Sequence, residues 1–551
     1  MIRFLLVFLI FGAYFAASMV IVKPGPQHPM TKGEVWPKPQ QQTKYEIYYS
    51  YDARKFNTTV PINTCEKVNS AIHQFEHAVR TTIRSVQRAL LTVHNKHVNN
   101  GVDANYQGKL EELVVELTAP CEEYPYFGMD ESYNLTVAKS SVLRSNSVWG
   151  IIHGLETFSQ LFYLTDDTLA IRINKTEIYD YPRYKHRGLL LDTSRHYIYP
   201  TTIEKMLEAM SMNKLNVLHW HIVDDQSFPY RSEKFPELSR MGAYHSSMVY
   251  DKVLIQNIMS YANTLGIRII PEFDVPGHTS SWGVAYPNLL TKCYEGGQFV
   301  GLGPMNPIQN VTYKLLQDLF REVQQLFPDK YFHVGGDEVD LDCWLSNDEL
   351  RNYMTQHNMT SASELHALFM ENVLPLLGEK SKPIVWQEVF DEGVPLSNDT
   401  IIQVWKDNDI NEMISILSSG HKLIYSSAWY LDHLKSGGDW TDFYQADPRQ
   451  VVKRYNSDAN IENIVGGEAC MWGEVVDDAN IMSRVWPRAS AVAEKLWSAE
   501  TDNHFGFQYN IPSEVYQRLE EHTCRMNRRR IRAQPPSGPG FCVGGVYQGW
   551  V

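Results

Sequence analysis

From residue 188 onward the chain repeats one texture. Short apolar runs alternate with longer stretches whose apolar residues recur at helical spacing. The runs are GLLLDTSRH (188–196), LNVLHWHIVDD (215–225), IRIIPEFD (267–274), YFHVGGDEV (331–339), PIVWQEVF (383–390), IIQVWKD (401–407), KLIYSSAWY (422–430) and IVGGEACMWGE (464–474). Unbroken apolar runs are what strands buried on both faces require. Eight of them, with helical spacers such as TIEKMLEAMSM between several, predict an α/β fold, a (β/α)8 barrel. Before about residue 180 the texture differs. ELVVELT (112–118) alternates as a half-buried strand does, and GLETFSQLFYL (154–164) has apolar residues at helical spacing. A smaller α+β domain, 19–180, is therefore expected ahead of the barrel domain, 181–551. A length of 551 residues, too long for one ordinary domain, agrees.

The first residues read differently again. Arg3 precedes FLLVFLIFGAYFAAS, an apolar run closing in small residues, which is the pattern of a secretory signal cut after Ser18. Apolar residues continue to Val22, so an uncleaved membrane anchor is the alternative. In both cases the rest of the chain enters the secretory lumen. Six Asn-x-Ser/Thr sites, at Asn57, Asn134, Asn174, Asn310, Asn358 and Asn398, are glycosylation candidates there. None of the seven cysteines forms a Cys-x-x-Cys pair, which argues against a zinc knuckle. Disulfides with one thiol left over suit an oxidising lumen, and Cys470, in the apolar run GGEACMWG, is the expected leftover. The net charge of −14 argues against nucleic acid or an anionic membrane as partner. Aromatics make up 12% of residues, and sugar-binding clefts use flat ring faces.

A barrel of this kind places its active site at the C-terminal ends of the strands. Arg195, Asp224, Asp225, Asp274, Asp337, Glu338, Trp386, Glu388, Trp405, Tyr430, Asp432, Trp472 and Glu474 all fall at or just past such ends. Loops are polar in any protein, which accounts for the acids. It does not account for a Trp at or near the end of at least three strands. The adjacent pair Asp337 and Glu338 follows Gly335 and Gly336. Neighbouring strand residues point to opposite faces, so the two cannot flank one bond unless the chain turns at once. The glycines permit that turn. One acid could then protonate a leaving group, its pKa raised by the neighbouring charge, while the other acts elsewhere on the same substrate. A solvated surface turn is the alternative. In LHWHIVDDQSFPY, His219, His221, Asp224 and Asp225 read either as metal ligands or as hydrogen-bonded core residues. His278, on the loop of PEFDVPGHTSSWG, either orients an acid or caps a turn.

Taken together, DTSRHY, LHWHIVDDQSFPY, PEFDVPGHTSSWG, HVGGDEV, VWQEVF, VWKD, AWYLD and GGEACMWGE resemble the family 20 glycoside hydrolases, specifically the animal lysosomal-type β-N-acetylhexosaminidases. The likeness runs from GEVWPKPQ near residue 33 to GFC at 540–542. It implies exo-acting hydrolysis of terminal β-linked GlcNAc or GalNAc, with the substrate's own acetamido oxygen as nucleophile. It implies that Glu338 is the general acid and base, that Asp337 holds the acetamido N–H, and that Tyr430 bonds the acetamido oxygen. It further implies that Trp386, Trp405 and Trp472 are pocket walls, that Arg195, Asp432 and Glu474 clamp hydroxyls, and that Asp224 and His278 orient Glu338. Activity is then expected on the acid side, falling as pH rises through the titration of Glu338. The implied disulfides are Cys65–Cys121, Cys293–Cys343 and Cys524–Cys542. No metal or organic cofactor is implied. The resemblance suggests a homodimer in the lysosome or secreted. The sequence after Tyr430 bears on substrate charge: in this family Asp-Leu accompanies neutral sugars and Asn-Arg negatively charged ones, and here Asp432 is followed by His433. A sugar-binding protein without catalysis, on the same scaffold, is the alternative function.

Overall fold

The computed structural model describes residues 31–62, 65–91, 103–164, 171–406, 410–433, 438–500, 511–537 and Cys542. The signal or anchor segment lies outside these residues. Among the described residues, no helix is long and apolar enough to cross a membrane.

The first part of the chain builds a mixed sheet from β1 (Gln41–Ser50), β2 (Asn57–Ile62), β3 (Tyr106–Lys109), β4 (Glu112–Leu117), β5 (Tyr133–Val137), β6 (Ser140–Ser145), β7 (Tyr163–Leu164) and β8 (Ile171–Asp180). The strand order is β2-β4-β6-β5-β8-β1-β3, with β7 paired to β8. The alternation in β4 has a simple cause. Leu113, Val115 and Leu117 turn into the core, and the residues between them stay half-buried. Helices Glu66–Leu91 and Val148–Gln160 supply the other side of that core through Phe75, Val79, Trp149 and Phe158. Ser147 starts the second helix, its hydroxyl accepting from the Trp149 N–H.

The eight apolar runs are the eight strands of a closed parallel barrel: β9 (His186–Asp192), β10 (Val217–Val223), β11 (Arg268–Phe273), β14 (Tyr331–His333), β15 (Lys382–Trp386), β16 (Ile401–Val404), β17 (Lys422–Tyr425) and β18 (Ile464–Met471). A hairpin, β12 (Leu290–Glu295) and β13 (Gln298–Met305), is inserted after β11. Side chains alternate in and out of the barrel, so the interior is layered. Val217, Ile270, Tyr331, Ile384, Ile401, Ile424 and Val465 form an apolar cluster near the N-terminal ends, and Phe127 of the preceding domain packs against it. Two positions further along β10, β11, β14, β15 and β16 stand His219, Glu272, His333, Trp386 and Gln403, joined by Glu468 of β18, all buried. Gly188 makes room for this polar layer, since a Cβ there would lie 2.4 Å from Glu468 Cγ.

Buried ion pairs tie the two parts together. Lys214 Nζ lies 2.8 Å from Asp180 Oδ2, and Arg187 Nη1 donates to Glu131 Oε2 at 3.0 Å. The cysteines pair as Cys65–Cys121, Cys293–Cys343 and Cys524–Cys542, and Cys470 is free and buried. Cys293–Cys343 fastens the hairpin to the helix Leu341–Ser346, just past the acid pair. Three such bridges fit a protein of the secretory pathway. Asn57, Asn134, Asn310, Asn358 and Asn398 are exposed. Asn174 corrects the expectation from its sequon. It is buried in β8, its Nδ2 donates to the Tyr45 carbonyl at 2.7 Å, and Tyr163 bonds its Oδ1. A glycan has no access to that nitrogen in the folded protein.

Candidate active site

The acid pair sits on a turn that only glycine permits. Gly335 and Gly336 have φ of +73° and +102°. A Cβ on Gly335 would lie 1.7 Å from Asp274 Oδ1, and one on Gly336 would lie 2.4 Å from Val389 Cγ2. The Gly336 N–H instead donates to Asp274 Oδ1 at 2.8 Å. Glu338 and His278 are also left-handed, at +48° and +56°. Such backbones cost roughly 1–3 kcal/mol each and persist where the surroundings enforce them, often at functional sites. The turn separates the acids. The Asp337 side chain is 11% exposed and that of Glu338 is 59% exposed. One imidazole serves both, with His278 Nε2 3.7 Å from Asp337 Oδ2 and 3.6 Å from Glu338 Oε2.

The electrostatics run against the expected raising of Glu338. The nearby His278 imidazole outweighs partial burial and lowers the Glu338 pKa. Burial is the main effect on Asp337 and raises it, against the pull of His278. Asp274 is raised well above the carboxylate range by burial and by the Asp337 charge. In the free protein the charged form is thus favoured at the open acid, and burial favours the neutral form at Asp274 and Asp337. The neighbouring charge that the sequence offers as the cause of a raised Glu338 is outweighed by a cation from another loop.

Four aromatic rings face one another beside the acids. Trp386 and Trp472 have ring centroids 6.0 Å apart, Trp405 stacks on Tyr430 at 6.0 Å, and Tyr430 lies 6.5 Å from Trp472. Leu190 and the free Cys470 join this cluster. Tyr430 is held by backbone pairing of its neighbours with β18, since Cys470 N donates to Trp429 O and Leu431 N to Cys470 O. Glu388 accepts from Trp405 Nε1 at 2.9 Å. Arg195 is clamped by Asp192 (3.0 Å), Asp224 (2.8 Å) and Gln226 (3.0 Å), and lies over the Trp472 ring. Glu474 is more loosely placed, 4.0 Å from Arg195 and largely exposed. Asp432 is mostly buried, its Oδ1 without a hydrogen-bond partner, and His433 stands 3.8 Å away in solvent.

Beneath these groups runs a line of alternating charges. Glu468 Oε2 lies 2.8 Å from His219 Nδ1, and His219 Nε2 lies 2.9 Å from Glu272 Oε2. Glu272 Oε2 lies 2.6 Å from His221 Nδ1, and His221 Nε2 lies 2.8 Å from Asp224 Oδ2. Asp224 Oδ1 then meets His278 Nδ1 at 3.2 Å. His221 thus has both ring nitrogens hydrogen-bonded to carboxylates, which only an imidazolium can satisfy with two donors, whereas His219 bonds Glu468 through Nδ1 and its Nε2 only lies near Glu272. Burial opposes charge on His219, but Glu468 and Glu272 outweigh it and push its pKa up to about 9. Glu468 is depressed despite its burial, by His219 and His186. The histidines of LHWHIVDD are hydrogen-bonded core residues in this arrangement. Glu272 and Glu468 were not among the sequence candidates, although both lie on barrel strands and face inward.

The network has a stability signature. A raised His219 stabilises the fold fully below its unfolded value near 6.5 and loses that contribution as pH rises through about 9. A depressed Glu468 contributes fully above the usual glutamate range and loses its contribution as pH falls. The Tm advantage of the parent over Glu468→Gln is expected to be greatest near pH 5–6 and to shrink toward pH 9. Thermal unfolding of both proteins across this range checks it, and a constant difference would refute the coupling.

Comparison with known proteins agrees with this geometry. A family model described as glycosyl hydrolase family 20, catalytic domain, matches residues 184–500, and one described as beta-acetyl hexosaminidase like matches residues 35–161. The β-hexosaminidase subunit beta of Rattus norvegicus is 44% identical over 448 residues, covering 80% of this chain and 81% of that one. The subunit alpha of Mus musculus is 43% identical over 443 residues, covering 79% and 82%. Among solved structures, a Flavobacterium johnsoniae chitobiase superposes with a TM-score of 0.75 at 28% identity, covering 91% of this chain and 74% of that one. An exo β-N-acetylglucosaminidase from Vibrio harveyi shares the fold, with a TM-score of 0.72 at 22% identity over 93% of this chain and 80% of that one. Identity at this level over four fifths of the chain, on a barrel with paired acids beside an aromatic box, places the protein in glycosyl hydrolase family 20, as a glycoside hydrolase of β-hexosaminidase kinship.

Proposed function

We propose that the protein is an exo-β-N-acetylhexosaminidase. It releases terminal non-reducing β-linked GlcNAc or GalNAc from glycoconjugates or chitooligosaccharides, with retention and substrate assistance. The observation that carries this reading is the division of the acid pair into one buried and one open carboxyl on a single turn, beside an aromatic box. Glu338 donates its proton to the leaving oxygen as the acetamido carbonyl oxygen attacks the anomeric carbon and the glycosidic C–O bond breaks. Asp337 holds the acetamido N–H and balances the positive charge of the oxazolinium ring. Tyr430 bonds the acetamido oxygen, and Trp386, Trp405 and Trp472 enclose its methyl group and the sugar face. Arg195, Asp432 and Glu474 hold hydroxyls, and Asp224 and His278 orient Glu338. Water then attacks the anomeric carbon from the vacated side and gives its proton to Glu338. The relatives' description as subunits supports an oligomer, here a homodimer, and the three disulfides support a lysosomal or secreted enzyme.

The reaction needs a proton on Glu338, and in the free protein His278 works against it. An acetamido N–H arriving at Asp337 favours its charged form, and a leaving oxygen at Glu338 favours the protonated one. Binding thus shifts both acids toward the forms the reaction needs, with His278 between them.

A chromogenic aryl N-acetyl-β-glucosaminide tests the reading. It is expected to be hydrolysed, in a strong chelator as well as without it, whereas the aryl β-glucoside lacks the nucleophile and is expected to be inert. Equal rates on both would refute substrate assistance. Binding of N-acetylglucosamine without turnover of any such substrate would favour the sugar-binding alternative, which gives no use to a buried acid beside an open one.

Substrate charge follows from Asp432. A carboxylate near the 6-position repels a 6-sulfate. Burial raises the Asp432 pKa, with His433 acting in the opposite direction, so the repulsion grows as pH rises and Asp432 ionises. A preference in kcat/KM for neutral over 6-sulfated substrate is expected, of roughly ten-fold for one such contact, increasing with pH and shrinking in Asp432→Asn. Equal efficiency on both substrates in the parent would count against it.

A further inference from the structure

Glu272 occupies the polar layer of the barrel, is wholly buried, and accepts from two N–H groups that lead in two directions, with the His219 imidazole close by. Oε1 accepts from Trp386 Nε1 at 2.8 Å. Oε2 meets His221 Nδ1 at 2.6 Å and His219 Nε2 at 2.9 Å. On the first side Trp386 is 1% exposed and stands in the aromatic cluster with Trp405, Tyr430 and Trp472. Its ring can turn only by giving up that hydrogen bond. On the second side His221 holds Asp224, which holds His278 and Arg195, and His278 stands between the two acids.

We propose that Glu272 is a positioning residue for the reaction, setting both a wall of the acetamido pocket through Trp386 and the proton donor through His221, Asp224 and His278. This rests on the roles given above to Trp386 and Glu338. The chemistry of the side chain explains why a glutamate stands here. Both oxygens of a carboxylate accept, so one group can serve donors on two sides. A glutamine has one oxygen and presents an NH2 to donors on its other side. It also leaves His221 and His219 without their shared counter-charge, and a buried cation that loses its partner shifts or discharges.

The test uses the full-length enzyme, two substrates and one competitive ligand. Glu272→Gln is expected to lower kcat/KM for an alkyl N-acetylglucosaminide roughly a hundred-fold, the cost of misplacing a group by about 1 Å. The loss is expected to be smaller for an activated aryl substrate, which needs little proton donation. Combined with His278→Asn, Glu272→Gln should add little to the loss from His278→Asn alone, because both act through one group. Trp386→Phe keeps an aromatic ring, smaller than the indole, and removes the N–H. It should weaken inhibition by N-acetylglucosamine about ten-fold, as loss of a hydrogen bond to a charged group does, with no further weakening when Glu272→Gln is added. A merely structural Glu272 would give multiplicative losses, the same on both leaving groups, and an unchanged inhibition constant in Trp386→Phe; these results would overturn the proposal. If Glu272→Gln does not fold, Glu272→Asp, which keeps the charge but withdraws it by one methylene, makes the same comparisons, and parent-like constants there would also overturn it. Undiminished turnover by Glu338→Gln would remove the underlying reading. With that variant inactive, multiplicative losses would remove this proposal alone.

Discussion

Glu338→Gln is expected to lower kcat for an alkyl N-acetylglucosaminide by about a hundred-fold or more, the usual contribution of a positioned general acid. The same variant should lose far less on an aryl glycoside with a good leaving group. Its first step then needs no proton, although hydrolysis of the intermediate still lacks a base. Asp337→Asn should behave differently. In the proposed mechanism its carboxylate serves the nucleophile's amide and not the leaving group, so the loss should be large and nearly the same on both substrates. The geometry behind this split is local. A single turn sends the Asp337 side chain inward, 11% exposed, and leaves that of Glu338 59% exposed. Steady-state kinetics of both variants on a leaving-group series checks the split. Parallel dependence on leaving group in the two variants would show that the acids do not divide the work.

The parts of this site that were legible in the sequence share a property. They are set by pattern within one segment. Eight apolar runs could be read as barrel strands because strands buried on both faces cannot be polar, and Gly335 and Gly336 could be read as a turn because two acids side by side need one. What was missed depends on register between segments. Ile270, Glu272 and Asp274 point the same way along and just past β11, as do Val217, His219 and His221 along β10. That spacing places Glu272 inside the barrel, but only pairing His221 with Glu272 across the strands shows that the histidines face a carboxylate. Asn174 illustrates the same gap. A three-residue sequon carries no record that β8 is paired on both sides, with β5 and with β1, and that the amide closes a hydrogen bond to Tyr45. The acidities of Asp337 and Glu338 were misread for a further reason. Their adjacency is visible in the chain, whereas His278 arrives from a loop about sixty residues earlier and decides the outcome.

His278→Asn is expected to move the whole pH profile of kcat/KM upward, besides lowering its height roughly a hundred-fold. In the parent, His278 lowers the Glu338 pKa, while burial raises those of Asp337 and Asp274. The reaction needs Glu338 protonated and Asp337 charged, so the profile is a bell whose two limbs belong to these neighbouring groups together. Removing the His278 cation takes away what lowers Glu338 and what partly offsets burial at Asp337 and Asp274. Both limbs should then rise together. Asparagine keeps a hydrogen-bonding side chain at this left-handed position, which it tolerates better than most residues do. A loss of rate in His278→Asn with both limbs fixed would mean that His278 only orients Glu338 and leaves its protonation unchanged. One limb moving alone would mean that the imidazolium acts on only one of the two acids.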